Sequence, residues 1–585
     1  MEVRDLAGFD AGTQFEADLV IVGGGPAGLT IAREFAGTST RVLLLESGLE
    51  HETPEHTSLA EVESVGEPRT EAQKQKRAVF HGASASSWTQ ATQPYGVRCR
   101  ALGGSTHAWA GKSAAFDAID FQDRPWVPHS GWPIARQSLS PYLDRAADVL
   151  NLGPNVYDDE LWELIGASSP KPSVDADIVR SFFWQFARSR VDHLDVMRFG
   201  REFAGFKAPN IRVLLNATAT RINLAQSGSR FDHLEMATLS GARYLVTARH
   251  CILAASGIEN ARLLLASNNE QTSGIGNAHD LVGRFLMDHA GARIGQLASD
   301  RLGEIGRLFG FYGVRHQGRT HMYMRGLAPT AARQEQERLL NCAVYLMPQL
   351  SPDDPWDALK RLLQRKSDRA RQDVLAVLLG GPLLAKGLAM KALASDAMPA
   401  RLKDLVVNTA IRISPNLVAD EFLSRGVPHK VTAISIDAIC EQRPDPSSRL
   451  RLSDRTDRLG VPIAQVDWHI NHEERDTIVR LGRLISETFS RAGLPEPLLE
   501  PWVAGNRPDE AVIIDMAHTM GTTRMSDDPK KGVVDRNCQV HGVRGLHIAG
   551  SSVFPTSGHA NPTLMLLALA IRLADELKTE LGMAA

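Results

Sequence analysis

Short runs of mostly apolar residues are followed by helical patterns at both ends of the chain. Such runs are typical of parallel strands buried on both faces, and they lie at residues 18–22, 42–45, 251–255 and 546–550. Helical periodicity follows three of them, at residues 29–35, 260–267 and 564–577. This order predicts an α/β domain with a Rossmann-like sheet to which the chain returns.

The middle of the chain predicts different elements. Residues 211–247 read as four short strands with turn residues between them, as in a β-meander. Residues 290–350 and 428–470 alternate apolar and polar positions, whereas the intervening segment is helical in composition. We therefore predict a first domain at 15–290 (with 130–205 partly in the second), a second, mixed-sheet α+β domain at 291–510 with a helical insertion at 354–425, and a return to the first domain at 511–585.

Two stretches near the N-terminus lack a clear pattern. We interpret residues 1–16 as an edge strand or a disordered leader. Residues 49–84 are polar and irregular, so we interpret them as a long surface connection over the first domain.

Three glycines follow the first predicted strand at G-x-G-x-x-G spacing: Gly23 permits a tight turn, Gly25 lets the backbone approach a pyrophosphate, and Gly28 allows a helix to pack on the strand. The second strand ends at Glu46, followed by Ser47, where an acidic side chain can accept ribose hydroxyls. The combination predicts dinucleotide binding and disfavours NADP, whose extra phosphate the carboxylate would repel. The alternative is a glycine-rich turn without a ligand.

Composition narrows the function classes. A chain of 585 residues is too long for one ordinary core, and a net charge of −3 gives no indication of nucleic-acid binding. The five cysteines form no C-x-x-C pair, which argues against a zinc ribbon or a ferredoxin-type cluster, and we predict no metal site. The chain begins without a signal-peptide pattern and holds no apolar run of spanning length, so we expect a cytoplasmic protein.

A glycine pair stands in the segment ALGGSTHAWAG. Gly103 and Gly104, followed by Ser105, suit a backbone that passes close to a planar ligand, and Trp109 could form a wall beside it. A turn with a core tryptophan is an equally good interpretation of the residues alone.

The segment at 516–575 carries further candidate chemistry. His518 lies in HTMGTTRM, and Gly550 and Ser551 end the last predicted strand. Asn561, Pro562 and Thr563 then open an apolar helix, whose N-terminus would direct free N–H groups and positive potential at an anionic group.

These motifs together resemble the glucose–methanol–choline (GMC) oxidoreductases, a family of FAD-dependent alcohol oxidases and dehydrogenases. The segments that match stand in the family's order along nearly the whole chain: GGGPAG, LLLESG, ALGGSTHAWAG, SGWPI, ASGIENARLLLAS, GRFLMDH, HTMGTTRM and GSSVFPTSGHANPT. The resemblance implies an architecture like that of p-hydroxybenzoate hydroxylase, with FAD between the N-terminal fingerprint and the last helix. On this basis we extend the cofactor site to Thr218 and Ala255.

In that family a histidine, and a second histidine or an asparagine, face flavin N5. The resemblance places His518 as the base that takes the hydroxyl proton and Asn561 as the amide that holds the same oxygen. Asn561 could also cap the helix, and both roles are compatible. His559 is a competitor, either as a substrate contact or as a turn residue. His107 lies one place before the position that carries covalent FAD in some relatives, and Ala108 occupies that position, so we expect non-covalent FAD.

The sequence thus predicts oxidation of a CH–OH group, in a sugar, polyol or other alcohol, with reoxidation by oxygen or another acceptor. The basic residues near the start of 354–425 could face an acceptor protein or a membrane surface, although a solvated insertion explains them as well. Two alternatives remain: a non-redox flavoprotein lyase or isomerase of this fold, and a flavin-free partner-binding protein.

Overall fold

A six-stranded parallel sheet organises the first part of the computed structural model, which describes residues 1–192, 195–203, 205–394, 409, 416 and 428–582. The strands, in their order across the sheet, are β1 (Glu2–Asp5), β8 (Ile211–Leu215), β4 (Val42–Leu45), β3 (Leu19–Val22), β12 (His250–Leu253) and β22 (Leu546–Ile548). The predicted Rossmann-like α/β fold is confirmed. The leader contributes the edge strand β1.

The prediction is wrong for one strand of the β-meander. β8 pairs in parallel with β4 and β1 instead of joining the strands that follow it. Four of its five residues are buried, so its apolar pattern fits a sheet covered on both faces as well as a meander. The meander itself contains β9 (Thr218–Leu224), β10 (Phe231–Ala237) and β11 (Arg243–Thr247), with β2 (Gln14–Glu16) added beside β11.

Four helices pack around the parallel sheet: α1 (Pro26–Glu34), α5 (Ser140–Val149), α8 (Ser256–Ala266) and α16 (Thr563–Glu580). The apolar helix α16 contacts both α1 and α5, so the end of the chain packs against its beginning. Helices α1 and α8 start directly after β3 and β12, which places their N-termini at the carboxyl edge of the sheet.

A nine-stranded sheet forms the second layer. Its strands are β6 (Lys112–Ser113), β7 (Val179–Phe186), β13 (Ala290–Leu297), β14 (Phe311–His316), β15 (Arg319–Pro329), β16 (Cys342–Leu350), β17 (Val431–Cys440), β20 (Leu498–Leu499) and β21 (Ile514–Asp515). Its central strands pack against the long helix α14 (His472–Arg491) through a separate hydrophobic core.

Not all of the range predicted for the second domain, 291–510, belongs to the nine-stranded sheet. β18 (Arg449–Thr456) and β19 (Pro462–Asp467) leave the nine-stranded sheet and pair with β5 (Val62–Ser64) instead. Both strands contact α8, so residues 449–467 lie beside the parallel sheet. Alternation predicted the strands but carried no information on their partners.

Residues 49–84 are more regular than a surface connection. They hold α2 (Pro54–Thr57), β5 and α3 (Glu71–Gly82), and α4 (Ser87–Thr92) follows. Two polar side chains of α3, Arg77 and His81, are buried, and for that reason the polar pattern concealed the helix. The remaining helices are α6 (Glu160–Leu164), α7 (Phe199–Phe203), α9 (Leu302–Phe309), α10 (Ala331–Glu337) and α15 (Pro501–Ala504).

The segment at 354–425 is helical where it is described. It contains α11 (Pro355–Leu363), α12 (Ala370–Leu379) and α13 (Gly381–Ala394), and leucines including Leu363 and Leu379 are exposed on it. Most of residues 395–427 lie outside the described residues, so an acceptor or membrane surface there stays a prediction. In the described part of the chain, no helix combines the length and apolarity needed to cross a bilayer.

Candidate active site

A cleft of about 1070 Å³ lies between the carboxyl edge of the parallel sheet and the nine-stranded sheet. It is somewhat larger than a typical drug-sized pocket. Fifteen of the residues singled out from the sequence line it: Gly23, Gly25, Glu46, Ser47, Gly104, Ser105, Trp109, Thr218, Ala255, His518, Gly550, Ser551, Asn561, Pro562 and Thr563. Gly28, Gly103 and His559 do not line it.

The glycines bring two backbone segments together. A Cβ on Gly104, whose φ is +55°, would lie 2.9 Å from the Gly25 Cα atom. A Cβ on Gly28 would lie 2.0 Å from the Gly23 carbonyl oxygen, and a Cβ on Gly103 would lie 2.5 Å from the Gly200 nitrogen. Gly28 and Gly103 therefore serve close packing behind the cleft, whereas Gly25 and Gly104 form a cradle that faces it.

Three helix N-termini reach the cleft, those of α1, α8 and α16. Each presents unpaired N–H groups and a partial positive charge that suit phosphates or another anionic group. Several buried side-chain atoms of the lining have no hydrogen-bond partner among the described residues, and they include Thr218 Oγ1, Ser256 Oγ and Asn561 Oδ1. Orphaned polar atoms beside a glycine cradle fit a bound dinucleotide.

Glu46 holds the glycine loop in place. Its carboxylate accepts hydrogen bonds from the Gly24 N–H at 2.9 Å and the Gly48 N–H at 2.8 Å. Burial raises the pKa of Glu46, and these two hydrogen bonds oppose that shift. The carboxylate lines the cleft, so its predicted contact with a ribose is compatible with this structural role.

His518 lies in a chain of hydrogen bonds. Its Nδ1 atom is 2.9 Å from Nδ1 of His289, and its Nε2 atom is 3.2 Å from Nδ2 of Asn561. On the far side, Nε2 of His289 is 3.1 Å from the Ser557 carbonyl oxygen. The two residues predicted to be catalytic are therefore in direct contact at the cleft.

The direction of this chain follows from the Ser557 carbonyl, because a carbonyl oxygen only accepts. His289 must donate through Nε2–H, and a neutral His289 then presents a lone pair at Nδ1. His518 donates its Nδ1–H to that lone pair, which leaves Nε2 of His518 unprotonated beside the Asn561 N–H groups. Burial lowers the pKa of His289 to about 4 and lowers the pKa of His518 well below its usual 6.5, so both imidazoles are neutral near neutral pH.

Asp288 fixes the backbone that carries His518. Its carboxylate accepts the N–H groups of His518 and Met516, each at 3.0 Å, and the N–H of His289 at 2.7 Å. Ala517, which lies between Met516 and His518, adopts a φ of +61°, a conformation that such hydrogen bonds can maintain. Burial, then the charge of Asp515, raises the pKa of Asp288 to about 8.

The other histidines predicted near the site occupy different places. His559 is buried behind the cleft with its ring 4.4 Å from the ring of Phe182, and the geometry does not support it as a substrate contact. His107 donates Nε2–H to the Leu102 carbonyl at 2.9 Å, and Ala108 lines the cleft in its place. Trp109 does form part of the wall, with its Nε1–H donating to the Met197 carbonyl at 2.7 Å.

Sequence reasoning missed three polar residues at the site: Asp288, His289 and Lys112. The first two stand in the segment GRFLMDH, which contributes to the family resemblance but has no spacing that indicates a role for either residue. Lys112 lies on the cleft wall of the nine-stranded sheet and had no distinguishing local pattern.

Comparisons with known proteins give one matching family model and several similar proteins. A family model described as GMC oxidoreductase matches residues 444–570. The fructose dehydrogenase large subunit of Gluconobacter japonicus is 25% identical over 57% of this chain, an alignment that spans only 48% of that protein. Paromamine 6'-oxidase of Streptomyces fradiae is 22% identical, with 96% of this chain and 92% of the relative aligned.

A solved structure extends the likeness to the whole fold. A formate oxidase matches 98% of this chain and 99% of its own with a TM-score of 0.54. Because the two sequences are only 17% identical, this comparison shows the fold alone.

Proposed function

We propose, because this chain belongs to the GMC oxidoreductase family, that it uses FAD to oxidise an alcohol carbon to a carbonyl. One observation carries the proposal: the unprotonated Nε2 of His518 and the amide of Asn561 meet at 3.2 Å on the wall of the cleft. A neutral imidazole beside an uncharged hydrogen-bond donor suits removal of a hydroxyl proton.

The residues of the cleft fit FAD. The cradle of Gly25 and Gly104 and the N-terminus of α1 would hold the pyrophosphate, and Glu46 would face the ribose. The N-terminus of α16 would lie near the flavin. We propose non-covalent binding, because Ala108 lines the cleft whereas the His107 ring is bonded to a backbone carbonyl. When bound, FAD accepts the hydride that leaves the substrate carbon.

The protein's part in the reaction is to take one proton and to hold one oxygen. Nε2 of His518 accepts the hydroxyl proton while the C=O bond forms, and Nδ1–H of His518 stays hydrogen-bonded to His289 throughout. An N–H of Asn561 donates to the same substrate oxygen and holds it against Nε2. The neutral state of both histidines keeps the base available at physiological pH.

The relatives guide the choice of substrate and acceptor. One is named as a dehydrogenase of fructose and another as an oxidase of paromamine. We extend the proposal to a sugar, polyol or related hydroxyl, with reoxidation by oxygen or another electron acceptor.

Anaerobic mixing of the FAD-loaded protein with a panel of alcohols and sugars tests the proposal. We expect flavin bleaching and formation of one carbonyl per flavin, followed by recolouring when an acceptor is added. A flavin that stays yellow with every donor while the protein converts a substrate would instead indicate a lyase or isomerase. A protein that cannot be loaded with FAD would indicate a flavin-free binding protein.

A further inference from the structure

Lys112 places a cation on the cleft wall opposite the parallel sheet. It lies on the short strand β6, paired with Phe186 of β7. Its Nζ atom is 3.6 Å from the ring centroid of Tyr345 and 4.1 Å from that of Trp184. Two aromatic faces thus orient the ammonium group without using its three N–H donors.

The wall around this cation is apolar. Phe311, Met322, Met324, Met347 and Ile439 line the cleft beside Tyr345. Among the residues that the structure describes, no carboxylate lies within 4 Å of Lys112, and no side chain or carbonyl accepts a hydrogen bond from it. Lys112 is half-buried, and a cation in such a place without an anionic partner loses part of its hydration, so a ligand that supplies the anion gains the corresponding interaction.

This cation shares the chamber with the base. Its charge contributes to the lowered pKa values of His518, His289 and His559, after the larger effect of burial. Burial lowers the pKa of Lys112 itself to about 7, and the charge of Asp437 on β17 opposes that shift. Lys112 and His518 line the same cleft, so a ligand held by Lys112 lies in the same chamber as the base.

We propose that Lys112 is an anion subsite that binds a carboxylate of the substrate, so that the enzyme oxidises a hydroxyl of a hydroxy acid or sugar acid. This inference rests on the proposed alcohol oxidation at His518. One ammonium compensates one negative charge, which favours a monocarboxylate over a phosphate dianion that needs several donors. The apolar and aromatic wall would contact the carbon skeleton between the carboxylate and the reacting hydroxyl.

Binding of non-reacting carboxylates tests this subsite without turnover. Acetate, pivalate and benzoate are compared with their amides by calorimetry on the FAD-loaded, full-length protein at about pH 6, where carboxylates are ionised and Lys112 is charged. We expect at least one carboxylate to bind about tenfold or more tightly than its amide, as for hydrogen bonds to a charged group.

Lys112→Met should abolish that preference and Lys112→Arg should retain part of it. The exposed Lys531, which does not line the cleft, provides the matched control Lys531→Met.

The outcomes separate the two proposals. A carboxylate preference that survives in Lys112→Met, or that is absent from the wild type for all three pairs, overturns the subsite. Inorganic phosphate that binds more tightly than every carboxylate in a Lys112-dependent way also overturns the assignment to a carboxylate. Failure of every alcohol to bleach the flavin would refute the proposed oxidation. It would leave the carboxylate subsite standing, because the binding measurement does not depend on turnover.

Discussion

The Nδ1 atoms of His289 and His518 lie 2.9 Å apart, and the proton between them belongs to His518. The Ser557 carbonyl determines this, because its oxygen accepts a hydrogen bond from Nε2–H of His289, with 3.1 Å between nitrogen and oxygen, and Nδ1 of that ring is then the acceptor. A histidine that does not line the cleft therefore selects which nitrogen of His518 is free to act as a base.

Replacement of His289 tests this tautomer selection. His289→Phe leaves the Nδ1–H of His518 without an acceptor, and we expect flavin reduction to slow by about 10- to 100-fold while FAD stays bound. His289→Asn offers a carbonyl oxygen near the position of Nδ1 and should recover part of the rate. Stopped-flow reduction under anaerobic conditions measures both variants.

His559 provides the matched control for that experiment. It is also a buried histidine near the site, yet its ring nitrogens have no hydrogen-bond partner among the described residues and it does not line the cleft. In His559→Phe the substrate should reduce the flavin at nearly the wild-type rate. A loss as large as that of His289→Phe would show that any change in these buried rings disturbs the site.

The pH dependence of flavin reduction reports the state of His518. Burial and the charges of His289, Lys112 and His81 lower the pKa of His518, whereas the charge of Asp515 raises it. Because the neutral imidazole is the active form, the second-order rate of reduction should fall only on the acid side, below the ordinary pKa of about 6.5. Lys112→Met removes one lowering charge, so its acid limb should shift to higher pH with a neutral alcohol as donor. An acid limb above 6.5 in the wild type would contradict the assignment.

Gly104→Ala tests the cofactor cradle. The added Cβ would approach the Gly25 Cα atom to 2.9 Å, and we expect FAD affinity to fall by about 10- to 100-fold, as for an overpacked contact. Gly228 has a similar φ of +67°, but a Cβ added there would meet no atom closer than 4.0 Å, so Gly228→Ala carries the backbone strain alone. FAD retention after gel filtration distinguishes the variants, and equal loss from both would assign the effect to strain.

Asp515 joins α3 to the segment that carries His518. Its carboxylate forms salt bridges with two arginines: Oδ1 lies 2.8 Å from Nε of Arg77 and 3.0 Å from Nη2 of Arg69. Burial alone would raise the pKa of Asp515, but the hydrogen bond to His81 and the two arginine charges lower it overall. Asp515→Asn should lower the free energy of unfolding by about 3–5 kcal/mol, because the arginine charges remain buried without their anion.

The stabilising effect of Asp515 also has a defined pH sign. A lowered pKa in the folded state contributes stability above the unfolded value near 3.9, and that contribution is lost as the pH falls below it. The difference between wild type and Asp515→Asn in urea midpoints, measured with saturating FAD, should therefore narrow below about pH 4. Asp527→Asn, which breaks the exposed pair with Arg536, should leave the midpoint unchanged.

The parts of the site that local chemistry determines were predictable from the sequence. Gly23, Gly25 and Glu46 follow strands at fixed spacing, and Asn561 opens a helix, so each position had a local signal. Lys112 reaches the cleft because β6 pairs with β7 more than 70 residues later along the chain, and no short pattern reports such pairing. Arg77 and His81 are polar, so the sequence of α3 reads as exposed although both side chains are buried. Their partner Asp515 lies far away in the sequence, so no local pattern indicated the burial.

The rate at which substrate reduces the flavin in His518→Ala decides whether His518 is the base. Without an imidazole to take the hydroxyl proton, reduction should slow by about 10²- to 10⁴-fold, with FAD content and fold unchanged. Reduction of this variant at the wild-type rate would show that His518 is not the base.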